Sequence, residues 1–463
     1  MNPPLLPTLL GLVAVFSPAL LLVGLGVPSL LGRPLSERLT DRLGQAIIWT
    51  GLLAAISVLI WMLSTDQTHL LLVGRNWVEI PGYHFAFKLV FDRLSVPFVV
   101  LSFLLCGTIG AFAARYLHRE PGFNRFFVLF SIFLLGMIVT SLAGTIETLF
   151  AGWELVGLSS ALLVAFYHER LGPVSNGLHV WTVYRVSDAA LLMASVVLHH
   201  LTGEGDFDRL FKSEGNWPVG MPALTSDWAT IVGLLLVMAA AGKSALIPFS
   251  GWLPRAMEGP TPSSAVFYGA LSVHLGAYLL LRVSPLLDAS PLLCVVVVAL
   301  GLLTSAHAVI VGRAQTDIKT ALTYASMTQV GLIVAEIGMG FRYLALAHIL
   351  GHACWRTLQF LRAPTFLHDQ RIIENATSAS GSDRPKRSGQ IDAWIPADWR
   401  TPAYRLALTR GRLDIWLIAT FVDPFLKLFR QFDSWETQLA ARFEKSQLDA
   451  DSNPNTSGRS PSH

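Results

Sequence analysis

The chain has 463 residues, of which 52% are hydrophobic and only 14% are charged. Its mean hydropathy of +0.52 lies far above that of a soluble domain of this length. The composition therefore excludes a soluble globular protein and indicates an integral membrane protein. The net charge of +3 is not gathered into a patch of basic and aromatic residues, so nucleic-acid binding is not expected.

Apolar stretches recur along most of the chain, each close to the roughly 20 residues that cross about 30 Å of hydrocarbon. We count about eleven of them, which predicts an all-α polytopic membrane protein. In chain order they are residues 9–31, 43–64, 92–113, 125–143, 145–167, 176–201, 228–248, 262–284, 287–311, 318–338 and 343–361. The first has no basic start and is too long for a signal peptide, so we interpret it as a retained span.

Charges in the connections predict the orientation in the membrane. The basic or mixed connections are 32–42, 114–125, 168–175, 249–261 and 312–317. The intervening connection 202–227 carries five acidic residues against Arg209 and Lys212. By the positive-inside rule, the N-terminus is expected outside and the C-terminus in the cytoplasm.

The two ends of the chain differ from the region between them. Residues 1–84 are expected to hold N-terminal transmembrane helices and an external loop, and the polar residues 363–403 a cytoplasmic linker. Within 404–446, apolar residues recur at intervals of three and four, which predicts an amphipathic helix at the membrane interface or against a partner. Residues 447–463 have the composition of a disordered tail.

Ionisable residues inside the apolar stretches are candidate functional groups, because hydrocarbon makes them costly. Glu154 lies in the middle of the fifth stretch, and Arg185 and Asp188 are three apart on one face of the sixth. Lys243 lies in the seventh, shortly before Pro248, which must interrupt the helix. A lysine whose charge is balanced by a nearby carboxylate binds or releases a proton as that balance changes.

A second set of ionisable residues lies further along the chain. His274 belongs to the eighth stretch and Lys319 opens the tenth, while His348, His352 and Arg356 follow one another at i, i+4 and i+8 in the eleventh. Two histidines at this spacing can also bind a metal, but no third ligand is suggested nearby. Histidine titrates near neutrality, so a hydrated proton path is the favoured interpretation. The alternative is that these groups only hold helices together in a non-conducting scaffold.

Cofactor motifs do not stand out in the sequence. Cys106, Cys294 and Cys354 are far apart and lack the spacing of an iron–sulfur or zinc site, and no glycine-rich nucleotide motif follows a strand pattern. We therefore expect no cofactor and no redox or hydrolytic centre on this chain.

Four segments carry a resemblance to a known family. They are FNRFFVLFSIFLLGMIVTSLAGTIETLFAGWELVGLSS, GKSALIPFSGWLPRAMEGPTPSSA, QTDIKTALTYASMTQVGLIVAEIG and AHILGHACWRTLQFL. Over residues 85–362 the chain resembles the proton-conducting, antiporter-like subunits of respiratory complex I, of the subunit L type, and those of Mrp cation antiporters. The resemblance implies two inverted five-helix repeats with broken helices and a central hydrated axis for protons.

The resemblance also implies roles for individual residues. Glu154 and Lys243 match the family's glutamate–lysine pair, and His348 and His352 match the two histidines of the second half-channel. Arg185 and Asp188 fit a family segment that modulates the pair, although Tyr184 and Ser187 replace its usual Asn and Gly.

Three departures distinguish the chain from subunit L. Arg356 stands where the family has a lysine and cannot release a proton near neutrality. Tyr268 replaces a family histidine, with His274 six residues later, and the helices that follow the second channel have no counterpart. These departures favour a resemblance to the membrane subunit of DAB-type inorganic-carbon transporters in the bacterial inner membrane, which implies a large cytoplasmic, carbonic-anhydrase-like partner that holds zinc. A subunit of complex I or a related hydrogenase, and a Mrp-type Na⁺/H⁺ antiporter, stay as alternatives, and the conducted ion stays open.

Overall fold

The computed structural model describes residues 4–80, 83–213, 215–222, 224–379, 397–417, 419–420, 424, 427 and 430–438. Over these residues the chain is helical apart from one β-hairpin. Residues 1–411 form one compact unit and residues 412–463 a second. The prediction of a multi-pass helical membrane fold is confirmed.

The first half of the chain supplies most of the long helices. In chain order the elements are α1 (Leu5–Leu30), α2 (Glu37–Thr65), β1 (His69–Ile80), β2 (Tyr83–Asp92), α3 (Ser95–Tyr116), α4 (Phe123–Leu142), α5 (Ile146–Val164), α6 (Leu171–Thr202), α7 (Phe207–Phe211) and α8 (Ser226–Lys243). The second half is more broken. It contains α9 (Trp252–Arg255), α10 (Thr261–Ser264), α11 (Leu275–Arg282), α12 (Ser284–Asp288), α13 (Pro291–Gly312), α14 (Ile318–Gly338), α15 (Arg342–Ala379), α16 (Ala397–Leu408) and α17 (Leu413–Leu417).

Nine helical segments of the described residues are long and apolar enough to cross a membrane. They are α1 to α6, α8, the segment 261–282 and α13. Helices α14 and α15 form over the tenth and eleventh predicted stretches and are as long, but their polar residues keep them outside this set. The two inverted five-helix repeats stay a prediction.

Two of the segments are interrupted, and the interruptions position the buried polar groups. Helix α8 ends at Lys243, and the backbone turns through Ala245 at a positive φ of 53° before Pro248. Proline has no N–H to continue the helical ladder, so the chain proceeds as short turns to Glu258. Segment 261–282 is interrupted by a π turn over Ala265–Ala270 and a tight turn over Ser272–His274.

The all-helical prediction is wrong between α2 and α3. Strands β1 and β2 pair antiparallel, from His69 opposite Asp92 to Ile80 opposite Tyr83. The expected external loop is thus a hairpin whose base reaches the membrane helices. The Pro-Gly pair at 81–82 is a turn signal between two runs rich in aromatic and branched residues, and this signal favours a hairpin.

The C-terminal predictions concern residues from 363 onward. Helix α15 continues to Ala379 and α16 begins at Ala397, so both ends of the predicted linker 363–403 are helical, while 380–396 lie outside the described residues. The linker role of this segment stays a prediction. The expected amphipathic helix over 404–446 is interrupted at 409–412, continues as α17, and is helical again at 430–438. The predicted tail at 447–463 lies outside the described residues.

A buried ion pair joins the base of the hairpin to the second broken segment. Arg282 of α11 donates to the carboxylate of Asp92, at the end of β2, and to the hydroxyl of Tyr278 at 2.7 Å. The same carboxylate accepts the backbone N–H groups of Leu94 and Ser95 at 2.9 and 2.7 Å, where α3 begins. The side chain of Asp92 thus fixes the end of the hairpin, the start of α3 and the end of α11.

We expect Arg282→Leu to lower the free energy of unfolding by about 3–5 kcal/mol, because it leaves the Asp92 carboxylate buried without its counter-ion. Thermal unfolding in detergent measures the change. The neighbouring, exposed Arg93 provides the control, since Arg93→Leu should change stability by no more than about 0.5 kcal/mol. Equal midpoints for the two variants would contradict this role of the ion pair.

Candidate functional site

Lys243 is fully buried at the last residue of α8. Its ammonium donates to the backbone carbonyl of Trp153 at 3.0 Å and lies 4.9 Å from the Trp153 ring and 4.3 Å from the Tyr184 ring. Glycine at position 157 leaves room for the ammonium, since a Cβ there would lie 2.9 Å from Nζ of Lys243. One carbonyl and two aromatic faces therefore replace the water around this charge.

The carboxylates of the site are connected by one guanidinium. Nη2 of Arg185 donates to Glu154 on α5 and to Asp188 at 2.9 Å on its own helix, α6. The second oxygen of Asp188 accepts the indole N–H of Trp153 at 2.5 Å. Two carboxylates and two cations are thus gathered between α5, α6 and α8, and their charges balance.

The predicted pairing of Glu154 with Lys243 stays a prediction, and the contact between them in the structure is indirect. The direct partner of Glu154 is Arg185, since the guanidinium fork reaches across from the adjacent helix α6. Lys243 instead contacts the carbonyl of Trp153, the residue before Glu154. The lysine still lies close enough for its charge to act on Glu154, so the four side chains form one electrostatic unit without a direct Glu154–Lys243 bond.

The second set of residues forms a row of hydrogen bonds. Arg356 Nε lies 3.2 Å from His352 Nε2, His352 Nδ1 lies 2.9 Å from His274 Nε2, and His274 Nδ1 contacts the Ala270 carbonyl at 2.5 Å. A guanidinium N–H only donates, so Nε2 of His352 accepts and its Nδ1 carries the hydrogen. The next two bonds must then point the same way. The row has one direction, from Arg356 to the carbonyl inside the π turn.

His348 occupies a separate position in this set. Its Nδ1 lies 2.9 and 3.1 Å from the two oxygens of Glu336, its Nε2 lies 3.0 Å from Gln329 Oε1, and its ring centroid is 6.4 Å from that of His352. Sequence reasoning missed Glu336. The signal was available, since Glu336 is a carboxylate inside an apolar run just as Glu154 is.

The breaks in the helices bring the two sets together. Ser244, next to Lys243, donates to the carbonyl of Val273, next to His274, at 2.6 Å. The rings of Tyr184, Trp252 and Tyr268 stack edge to face between the sets, with centroids 5.0 and 5.5 Å apart. A polar path interrupted by aromatic rings therefore runs from the charge-balanced cluster to the histidine row.

Lys319 does not join the histidines. It lies in the first turn of α14, ten residues and thus about 15 Å along the helix from Gln329. There it lines a polar cavity of about 440 Å³ with Arg255, Glu258 and Asp317. Its place in a relay stays a prediction.

A metal site on the two histidines gains no support from this geometry. Both ring nitrogens of His352 are used in hydrogen bonds, to His274 and to Arg356. Within the part of the chain that the structure describes, no group of three or more His, Cys, Asp or Glu side chains is placed to hold a metal ion.

Solved structures share the fold. A chain of the Mrp complex from Dietzia sp. DQ12-45-1b matches with a TM-score of 0.63 and 25% identity, covering 76% of this chain and 37% of that one. A chain of the membrane-bound sulfane sulfur reductase, an archaeal respiratory membrane complex, matches with a TM-score of 0.61 over 77% of this chain and 69% of that one. Its identity is 21%, so this second likeness concerns the fold alone.

Relatives by sequence are proteins named NADH-ubiquinone oxidoreductase chain 5. The protein from Neurospora crassa is 32% identical over 63% of this chain, and that from Cryptococcus neoformans var. grubii is 31% identical over 76%. This chain spans 40% and 52% of their respective lengths.

Two family profiles match in sequence order. Residues 77–127 match the N-terminal region of complex I chain 5. Residues 143–381, more than half of the chain, match the profile described as NADH:quinone oxidoreductase/Mrp antiporter, transmembrane. The matched residues include the charge-balanced cluster and the histidine row. The chain therefore belongs to the NADH:quinone oxidoreductase/Mrp antiporter family of membrane proteins.

Proposed function

We propose that this chain is a proton-conducting, antiporter-like subunit of a larger membrane complex. The observation that carries the proposal is the cluster of Glu154, Arg185, Asp188 and Lys243, which ends at a helix break leading to the histidine row. Asp188 and Lys243 are fully buried, and Glu154 and Arg185 are partly buried. Buried charges at membrane depth are costly and mark ion or proton paths. A scaffold needs no titratable row beside such a cluster.

In the first half of the path, Arg185 controls the charge around Lys243. Its guanidinium contacts both carboxylates, so a small shift toward Glu154 leaves more of the negative charge of Asp188 to stabilise the ammonium. The return shift weakens that stabilisation and favours release of the proton from Nζ. The proton then passes by water toward the interrupted segment at Ser272–His274.

In the second half, Arg356 acts as a gate. Its Nε–H occupies Nε2 of His352, and a guanidinium does not give up its proton near neutrality. When Arg356 moves away and the rings reorient, His274 takes up the proton that arrives by water from Lys243 and passes it to Nδ1 of His352, which releases the proton on its Nε2 toward His348. With Arg356 in place, Nε2 of His352 is occupied and its Nδ1–H points at His274, so this transfer is blocked.

The identity of the larger assembly is a finer proposal. The departures at Arg356 and Tyr268 favour an inorganic-carbon transporter of the bacterial plasma membrane, with a large cytoplasmic zinc-holding partner. The relatives and solved structures favour a subunit of a complex I-like or Mrp-type assembly at least as strongly. Purification of the chain with its native partners distinguishes these assemblies. A partner that holds zinc and hydrates carbon dioxide supports carbon uptake. Flavin and iron–sulfur proteins support a respiratory complex, and further antiporter subunits support the Mrp type.

We expect Lys243→Met to reduce proton flux to the level of vesicles without protein, because the substitution removes the buried group that is loaded and released. A pH-sensitive dye inside proteoliposomes of the purified complex reports the flux after a potassium diffusion potential is imposed. The exposed Lys212 provides the matched control, and Lys212→Met should conduct as the wild type does. Normal flux through Lys243→Met would overturn the proposal.

We expect Arg356→Lys to raise proton flux and make it more sensitive to pH, because lysine releases a proton more readily than arginine. Arg356→Met should also raise the flux, since it frees Nε2 of His352. The same dye assay, repeated at several pH values, measures both effects. If both variants conduct like the wild type at every pH, Arg356 is not a gate.

A further inference from the structure

A second pair of titratable side chains lies between α5 and α6, at the end of the bundle that carries the hairpin. Glu147 belongs to the first turn of α5 and His199 to the last turn of α6. Nε2 of His199 lies 2.9 Å from Oε1 of Glu147, and the two side chains are only 1% and 17% exposed. Neither residue belongs to the path described above.

The hydrogen bonds around His199 require a proton between the two groups. Its Nδ1 lies 3.0 Å from the carbonyl of Ser195, so this nitrogen carries a hydrogen. In a neutral ring, Nε2 would then be an acceptor facing a carboxylate oxygen, which also accepts. A contact of 2.9 Å between the two is favourable only with a proton on one of them. The pair therefore holds one proton as a unit.

Glu147 opens onto a polar cavity. The cavity has a volume of about 370 Å³ and is also lined by Lys88, Glu204 and Asp206. Behind the pair, Gly205 packs so closely that a Cβ there would lie 2.0 Å from Oε1 of Glu147. The two carboxylate oxygens of Glu147 are themselves buried, so the carboxylate lies between the histidine and the cavity and exchanges protons with cavity water only when it turns outward.

The other charged groups around the pair are engaged with one another. Lys88 contacts Asp206 at 2.8 Å and Asp208 at 2.7 Å, and Arg209 contacts Glu204 at 3.0 Å. Burial would raise the pKa of Asp208, but hydrogen bonds from His69 and Lys88 outweigh it and hold that pKa well below its usual value. Asp208 therefore stays ionised near neutrality. Arg75, which also lines the cavity, and the Phe85 ring, 5.4 Å from His199, complete the surroundings.

The pair is aligned with the charge-balanced cluster. Glu147 and Glu154 are seven residues apart on α5, two turns and about 10.5 Å along the same face. On the antiparallel helix α6, Asp188 precedes His199 by eleven residues, three turns and about 16.5 Å. Two acid–base contacts therefore connect α5 to α6, one beside the cavity and one beside Lys243.

We propose that Glu147 and His199 form a proton-exchange site that passes protons between the cavity and the Glu154 cluster. The inference rests on the proposed function and deepens it by assigning this end of the path. A proton from cavity water binds the Glu147 carboxylate while His199 keeps its own on Nε2. Release of one of the two protons to water between the helices, toward Glu154, returns the pair to its singly protonated form.

His199→Asn should reduce proton flux at least about tenfold, a change of about 1.4 kcal/mol in barrier, and Glu147→Gln should do the same. The matched control is the adjacent His200, which is exposed, and His200→Asn should conduct like the wild type. Thermal unfolding in detergent shows whether each variant is folded. If folded His199→Asn and Glu147→Gln both conduct protons at the wild-type rate, the proposal is overturned, and the pair only stabilises the contact between α5 and α6.

A second measurement applies even if a variant unfolds. Infrared difference spectra of the wild-type protein, recorded between acidic and neutral pH, should show a carboxyl band that appears on acidification while an imidazolium persists. Glu147→Gln assigns the band, with Glu204→Gln as the control for another carboxylate of the cavity. No protonation change at Glu147 would overturn the inference. If Lys243→Met blocks proton flux and His199→Asn does not, only the inference about the Glu147–His199 pair fails. If the wild-type protein carries no proton flux, the proposed function fails, and the infrared spectra still decide whether the pair exchanges protons.

Discussion

The cost of burying charge in hydrocarbon governs the centre of this molecule. The charged side chains of the cluster balance one another within and between α5, α6 and α8, because an unpaired charge at that depth would cost several kcal/mol. Arg185 donates hydrogen bonds to two carboxylates at once, and the carbonyl of Trp153 accepts a hydrogen bond from the ammonium of Lys243. The packing of α5 against α6 and α8 follows from these contacts as much as from apolar burial. A rearrangement of one charge therefore acts on the others.

The helix breaks make this cluster usable. An intact helix would satisfy all of its own carbonyls and offer nothing to a travelling proton. Here α8 ends at Lys243, and the segment 261–282 opens into a π turn, whose Ala270 carbonyl contacts His274. The two interruptions lie side by side through Ser244 and Val273. Different parts of segment 261–282 therefore serve stability and conduction. Asp92 and Arg282 hold its C-terminal end in place, while its middle lacks regular α-helical hydrogen bonds.

The sequence was sufficient for the class of fold and for most residues of the cluster. A charge inside an apolar run is visible without coordinates, so Glu154, Asp188 and Lys243 could be selected directly. Their pairing could not, because which helix faces which is a property of three-dimensional packing, and the direct partner of Glu154 is Arg185. The same limit hid the contact of Glu336 with His348 and that of Glu147 with His199. The hairpin was missed although its signal is local: a Pro-Gly pair at 81–82 lies between two runs of strand-forming residues.

The central claim is that the Glu154 cluster carries protons as one unit. Proton flux through the double variant Glu154→Gln, Lys243→Met tests it most directly, because the substitutions remove one carboxylate and one ammonium together and keep the net charge of the cluster. The account predicts correctly folded protein in the membrane with no flux above that of empty vesicles. Flux equal to that of the wild type would show that these buried charges only hold the helices together.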